Sequence, residues 1–186
     1  MRHAFLESLA TQLAGLQIES LRYQFPYMDR GSKRPDPPAV CHAVVRAAVA
    51  EAGRRSKAPL IAGGRSFGGR MTSQAQAKSA LPGVRGLVFL AFPLHPAKSP
   101  SDERAEHLVN VQIPMLFLQG TRDELAELNL LQPLVTRLGK QGTRATLTLF
   151  EGADHSFHVP ARSGKTDAQV LAEIAAAVAD WAEGIE

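Results

Sequence analysis

Cysteine is nearly absent from this chain: Cys41 is the only one in 186 residues. A single thiol excludes an internal disulfide and a cysteine-built metal cluster, and it fits a reducing compartment such as the cytoplasm. Cys41 falls inside the helical pattern of residues 37–52, where a small thiol reads as a buried packing residue. Long apolar runs are missing as well; no stretch reaches the ~18 residues that a membrane span needs. The first 16 residues, MRHAFLESLATQLAGL, lack the continuous apolar core and the small-residue cleavage site of a secretory signal, and Glu7 interrupts a transit-peptide pattern. Phe5, Leu6, Leu9, Leu13 and Leu16 instead recur at helical spacing, which predicts a core helix. Charge of one sign is scarce too. The net charge is +3, and the basic clusters Lys33-Arg34 and Arg54-Arg55-Ser56-Lys57 are short, with no aromatic residues between them. A nucleic-acid face needs more than that. No internal repeat and no low-complexity tract breaks the chain.

What is present is the mix of a soluble globular domain, 45 % hydrophobic and 21 % charged, in a length that suits one domain over residues 1–186. The pattern alternates. Residues 2–14 read as a helix with Gly15 at its C′ position, and residues 18–25 (IESLRYQF) as a strand. A Pro/Gly loop follows at 26–36. Asp36 before Pro37 and Pro38 reads as an N-cap, and Val40, Val44, Val45 and Val49 line one face of a helix that stops at Gly53. Residues 59–63 form a short buried strand, with a helix after Ser66, and 86–92 and 114–119 read as further buried strands. Asn129 with Gln132 resembles a capping box, with Pro133 in the first turn and Gly139 closing the helix. Residues 144–150 suit an edge strand. Thr166 with Gln169 opens a last helix whose apolar face is Val170, Leu171, Ile174, Val178 and Trp181. Strands alternating with helices predict an α/β fold, a mostly parallel sheet with helices on both faces and all strand C-terminal ends along one edge. Sites in such sheets lie along that edge.

Three residues follow strand ends there. Ser66 is the centre of Gly64-Arg65-Ser66-Phe67-Gly68, a G-x-S-x-G pattern between a strand and a helix. That context suits a nucleophile elbow: a tight, strained turn that aims Ser66 Oγ off the sheet edge, with Gly64 and Gly68 relieving crowding. The Phe67 N–H, at the helix start, can donate to an oxyanion. The structural alternative is a Gly-rich turn holding a phosphate, as in a dinucleotide fold or another doubly wound binding domain. Neither G-x-G-x-x-G nor the P-loop lysine pattern is present. A serine nucleophile needs a base, and the base an orienting acid, in chain order Ser, Asp or Glu, His. Asp123 follows the 114–119 strand and is favoured over Glu124. His155 follows the 144–150 strand and is favoured over His158, His95 and His107; Asp154 reads as a turn former. Arg65 and Arg70 flank the serine, and an arginine there more often pairs with a nearby carboxylate.

The stretches LRYQFPYM, the PD of RPDPP, AGGRSFGGRM, GVRGLVFLAFPLHP, PMLFLQGTRDEL and ADHSFHV span nearly the whole chain. Together they resemble the α/β-hydrolase-like family that includes bacterial dienelactone-hydrolase-like proteins, testis-expressed hydrolase-like proteins and a subunit of the non-specific-lethal acetyltransferase complex. The resemblance implies an α/β-hydrolase fold with Ser66 as nucleophile, Asp123 as acid and His155 as base. A small ester or acyl substrate is expected, with no metal or organic cofactor. The alternative is a silent scaffold that binds a protein partner. Relatives carry an upstream strand ending in a His-Gly-Ala-Gly loop, and Met1 stands roughly where that loop ends. The expectation is therefore a chain truncated at its N-terminus, lacking the N-terminal strands and the second oxyanion donor. Its exposed strand edge would then favour a homodimer or aggregation.

Overall fold

The computed structural model describes residues 4–140, 142 and 144–185. Four strands form its sheet: β1 (Leu60–Arg65), β2 (Val84–Leu90), β3 (Met115–Gly120) and β4 (Ala145–Phe150). They lie in the order β1-β2-β3-β4, and every pair is parallel. The helices are α1 (Ala4–Gly15), the one-turn α2 (Pro26–Asp29), α3 (Pro38–Arg55), α4 (Phe67–Lys78), α5 (Leu128–Lys140) and α6 (Asp167–Glu183). A 3-10 segment, Glu103–Asn110, lies between β2 and β3.

The central strands are mostly apolar because both faces are covered. Successive side chains point to opposite sides of a strand. On β2 and β3, Leu87, Phe89, Met115 and Phe117 face a core built with α3, α4, the 3-10 segment and α5. Val88, Leu90, Leu116 and Leu118 face a second core with α1 and α6. Each strand's neighbour in the sheet is its neighbour in sequence. Connections of one hand then fall on one face, and α4, the 3-10 segment and α5 do so. α6 follows the edge strand β4 and turns to the other face, where it packs on α1. Thr166 caps α6 in a complete capping box with Gln169.

Residues 18–25 are not a strand. A strand exists by its ladder, and β1 has β2 as its one strand partner among the described residues. The alternating pattern of this segment does not set its burial. Phe25 is buried, edge-on to Phe67 and Tyr23 and stacked on Tyr27, while Leu21 is exposed. Burial instead grows along the segment, from exposed Leu21 and Arg22 through half-buried Tyr23 and Gln24 to buried Phe25, which packs on the α4 side of the core with no ladder involved.

Five helix ends also differ from the expectation. α1 runs through Gly15, and the left-handed residue is Gln17 (φ 62°). The Ile18 N–H reaches the Leu13 carbonyl at 2.9 Å and the Gln17 N–H reaches Ala14 at 3.1 Å, a Schellman closure. Asp36 does not cap α3, whose N-cap is Pro37. Its carboxylate instead accepts from the Tyr27 N–H at 2.8 Å and pairs with Arg30, closing the 26–36 loop. Nor does Gly53 end α3, which continues to Arg55 and leaves Val40 exposed. In α5, Glu127 accepts the first helical bonds, so Pro133 lies beyond the first turn, and Gly139 is inside the helix. Cys41 is fully buried, and burial pushes its thiol pKa up.

The β3–β4 register, which ends at Gly120 opposite Phe150, continues into the loops through Thr121 N–H to Phe150 O (3.1 Å) and Arg122 N–H to Ala153 O (2.9 Å). Gly120 is a glycine because a Cβ there would sit 2.3 Å from the Ala153 carbonyl oxygen. Gly120→Ala should therefore cost about 1–3 kcal/mol of stability, read from the denaturant midpoint; an unchanged midpoint would show that the two loops are not held this closely. The 3-10 segment is tied to α4 by His107 Nε2 and Ser73 Oγ at 2.7 Å, with Ser73 donating to the Arg70 carbonyl at 3.0 Å. Burial, then Arg70 and His42, lowers the His107 pKa to about 4. The unfolded chain takes up this proton near the ordinary histidine value of 6.5, and the folded one holds it off until about 4, so stability drops as pH falls below about 6.5. His107→Gln should flatten the thermal midpoint between pH 6.5 and 5 relative to the unsubstituted protein.

Candidate functional site

The strand ends bring Ser66, Asp123 and His155 into one line of hydrogen bonds. Ser66 joins β1 to α4 with φ 49° and ψ −117°, a left-handed conformation that non-glycine residues rarely hold. Its N–H donates to the Leu90 carbonyl at 2.8 Å, which locks the turn onto the end of β2. The turn is tight because backbone approaches backbone. A Cβ on Gly64 would lie 2.9 Å from the Gly68 carbonyl carbon, and one on Gly69 would lie 2.7 Å from the Gly64 oxygen. Gly68 itself faces open space. The second glycine that the packing requires is thus Gly69, one residue beyond the G-x-S-x-G pattern.

His155 Nε2 lies 2.8 Å from Ser66 Oγ, and Nδ1 lies 2.7 Å from Asp123 Oδ2. An ionised carboxylate only accepts, so Nδ1 carries the proton and Nε2 is left to accept from the serine hydroxyl. Asp123 is buried. Its Oδ1 accepts from the Leu125 N–H at 2.8 Å, and Oδ2 also accepts from the Gln119 side-chain amide. The Phe67 N–H, first in α4, meets no protein acceptor among the described residues.

Two supports escape a reading of the sequence. Gln119 is fully buried at the end of β3, with its amide nitrogen on Asp123 and its oxygen accepting from the Phe92 N–H at 3.0 Å. The one signal for it is a lone amide closing the apolar run PMLFLQ. Arg65 is tied to the loop that follows β4. Its Nη2 donates to Ser156 Oγ at 3.0 Å and to the His155 carbonyl at 3.4 Å, and its guanidinium lies over the Phe5 ring. Phe5 in turn stacks on Phe157. Through these contacts α1 braces the loop that carries His155.

The alternatives are elsewhere. Glu124 is exposed. His158 pairs with Asp167 at the start of α6, which raises its pKa. His95 is buried with its ring between the Pro96 carbonyl and the Glu127 carboxylate, a clamp between two loops. His107 belongs to Ser73. Asp154 is the turn former expected, accepting from the Ser156 N–H at 2.7 Å and the His158 N–H at 3.0 Å. Two surface depressions, one lined by Asn129, Gln132, Pro133 and Thr136 of α5 and the other by residues of the 30–38 loop, do not include Ser66, Asp123 or His155. Among the described residues no group of three acidic, histidine or cysteine side chains is placed to hold a metal ion, and no helix is long and apolar enough to cross a membrane.

Solved structures with this fold include an alpha-beta serine hydrolase homologue from Coxiella burnetii (20 % identity, TM-score 0.71, covering 92 % of this chain and 74 % of that one). Others are the esterase domain of a Rhodothermus marinus protein (13 %, 0.68, 97 % and 80 %) and a lidless serine hydrolase from Xanthomonas campestris (24 %, 0.65, 85 % and 67 %). At these identities the likeness is one of fold. The sequence profile of the alpha/beta hydrolase domain family matches residues 1–183. With an all-parallel sheet, helices on both faces and a strand–serine–helix turn at its edge, this chain belongs to the alpha/beta hydrolase domain family.

Proposed function

We propose that this protein is a serine hydrolase that cleaves a small ester or acyl substrate. Family membership supports hydrolysis as the reaction class. The observation that carries the finer reading is the unbroken chain from a strained Ser66 through His155 to a buried Asp123. Ser66 Oγ attacks the acyl carbonyl, and His155 Nε2 takes the hydroxyl proton. Asp123 keeps the imidazole in the Nδ1–H tautomer and stabilises the imidazolium. The tetrahedral oxyanion accepts from the Phe67 N–H. Collapse of this intermediate breaks the acyl–oxygen bond, and the proton on Nε2 leaves with the alcohol. Water then attacks the acyl-serine with His155 as base. The acid is released and the Ser66 hydroxyl is restored.

The connection from β2 to β3 holds only the short 3-10 segment. That favours an unlidded site open to small substrates over a long lipid tunnel. The Xanthomonas hydrolase, also described as lidless, fits this reading.

A fluorophosphonate probe read by intact mass should place one adduct on the protein and none on Ser66→Ala. An equal adduct on Ser66→Ala, or none on folded unsubstituted protein, would sink the proposal. Asp123→Asn should lower kcat by about 10²–10⁴ through loss of the tautomer. Gln119→Leu removes a donor from Asp123 and leaves the buried Phe92 N–H unpaired, at about 1–3 kcal/mol of stability. The misplaced acid should also reduce kcat by about ten- to a hundredfold with KM nearly constant. A loss of stability without a change in kcat would make Gln119 a packing residue only.

A further inference from the structure

The loop that carries Asp123 runs from the end of β3 to the start of α5. At its β3 end it lies on the loop of His155, where the Arg122 N–H donates to the Ala153 carbonyl at 2.9 Å. At its α5 end it is held by the chain that follows β2. The Leu125 carbonyl accepts from the Leu94 N–H at 2.8 Å and from the His95 N–H at 3.3 Å. The N–H of Leu125 donates to Asp123 Oδ1 at 2.8 Å. One residue therefore offers Asp123 a donor on its nitrogen and is anchored from outside the loop at its carbonyl. Two residues on, the Glu127 carboxylate meets His95 Nε2. The Glu127 carbonyl accepts the first bonds of α5, from the N–H groups of Leu130 (2.9 Å) and Leu131 (3.0 Å). Leu94 and His95 thus grip the stretch 125–127 by its backbone and by a side chain.

The side-chain grip depends on protons. The His95 ring is fully buried, while the Glu127 side chain is 40 % exposed. His95 Nδ1 lies 2.8 Å from the Pro96 carbonyl oxygen, which only accepts, so Nδ1 carries a proton. Nε2 faces Glu127 Oε2. Two lone pairs facing each other repel, so a second proton lies between these atoms, on the nitrogen or on the oxygen. The pair then holds two protons and no net charge. Surface ion pairs hold a loop weakly. This one is anchored by a ring that cannot turn to water, and a buried donor left without an acceptor is unfavourable. Neither side chain bonds to Ser66, Asp123 or His155 among the described residues, so any effect on the site passes through the loop.

We infer that His95 and Glu127 are positioning residues for the proposed acid: by clamping the stretch 125–127 to the chain after β2, they keep the Leu125 N–H on Asp123 and the Asp123 carboxylate in line with His155. The inference rests on the serine-hydrolase reading for its effect on rate, though not for its effect on the bond between Asp123 and His155. A misplacement of about 1 Å far from the chemistry can cost about a hundredfold in rate. A pair that only orients the acid changes kcat and leaves KM. The substitution Glu127→Gln separates the grip from the extra proton. Its amide N–H can donate to His95 Nε2 while Nδ1–H still reaches the Pro96 carbonyl, so the grip survives with one proton fewer.

Two measurements test the pair, on variants shown to be folded by circular dichroism. One is kcat and KM on 4-nitrophenyl butyrate. The other is the low-field proton NMR signal of His155 Nδ1–H, identified by its loss in His155→Gln. Glu127→Ala should lower kcat by about ten- to a hundredfold with KM nearly constant, and should shift or broaden the His155 signal. Glu127→Gln should return both close to the parent. His95→Asn keeps a donor for the Pro96 carbonyl and withdraws from Glu127. It should behave as Glu127→Ala does, and it takes that variant's place if Glu127→Ala does not fold. Glu124→Ala, exposed on the same loop, should match the parent. An unmoved His155 signal in folded Glu127→Ala or His95→Asn overturns the positioning role, as does unchanged kcat in a protein that labels at Ser66. An equal loss in Glu127→Ala and Glu127→Gln overturns it too, because the second variant keeps the grip. The two readings fail separately. Fluorophosphonate labelling of Ser66 with an unmoved His155 signal removes only the positioning pair. A signal that moves in Glu127→Ala and returns in Glu127→Gln, without labelling of Ser66, removes only the hydrolase.

Discussion

A carboxylate taken out of water must be given donors, and Asp123 at the end of β3 has three. They come from the Leu125 backbone, the Gln119 side chain and the His155 ring. Without them the buried charge would cost several kcal/mol or would pick up a proton instead. Meeting that demand joins the ends of all four strands. Gln119 reaches Asp123 with its amide nitrogen and the chain after β2 with its oxygen. His155 reaches back from the loop after β4 and extends the line to Ser66 after β1. The tautomer that leaves Nε2 facing the serine follows from the same satisfaction of Asp123.

Strain collects around that line and is offset nearby. Ser66 at φ 49° stores about 1–3 kcal/mol. Its N–H bond to Leu90 and the start of α4 hold it there. Phe157, two residues beyond His155, is also left-handed, at φ 61°. It is held by stacking on Phe5, by edge contact with Phe150 and by its own N–H bond to Asp154. A helix from the beginning of the chain thus steadies a loop near its end.

Much of this was legible in the sequence because it depends on local pattern. Apolar runs marked the first three strands and alternation with threonine the fourth, and the succession of strands and helices implied parallel pairing. Once pairing is parallel, every strand ends on one edge, so Ser66, Asp123 and His155 could be placed together without coordinates. The Thr166 capping box was readable for the same reason, since its partners are three residues apart. Signals failed where a local pattern had two physical causes. Residues 18–25 alternate as a strand does, yet Tyr23 and Phe25 face inward against Phe67 without any ladder. Gly15 sits where a helix cap is expected, but the cap depends on a hydrogen-bond closure that falls at Gln17. Asp36 has the spacing of an N-cap, and a backbone donor nine residues earlier and a nearby arginine claim it.

The sequence by itself determined the layered α/β architecture, the edge on which the candidate site lies and the residue types that meet there, because periodicity and chain order carry that information. Tertiary structure alone decided which groups became partners across long separations. It set Gln119 on Asp123, Arg65 on the loop of His155, and Gly69 against Gly64. Such pairings depend on burial and on the close approach of segments far apart in the chain. Neither quantity is encoded in the spacing of residues along it.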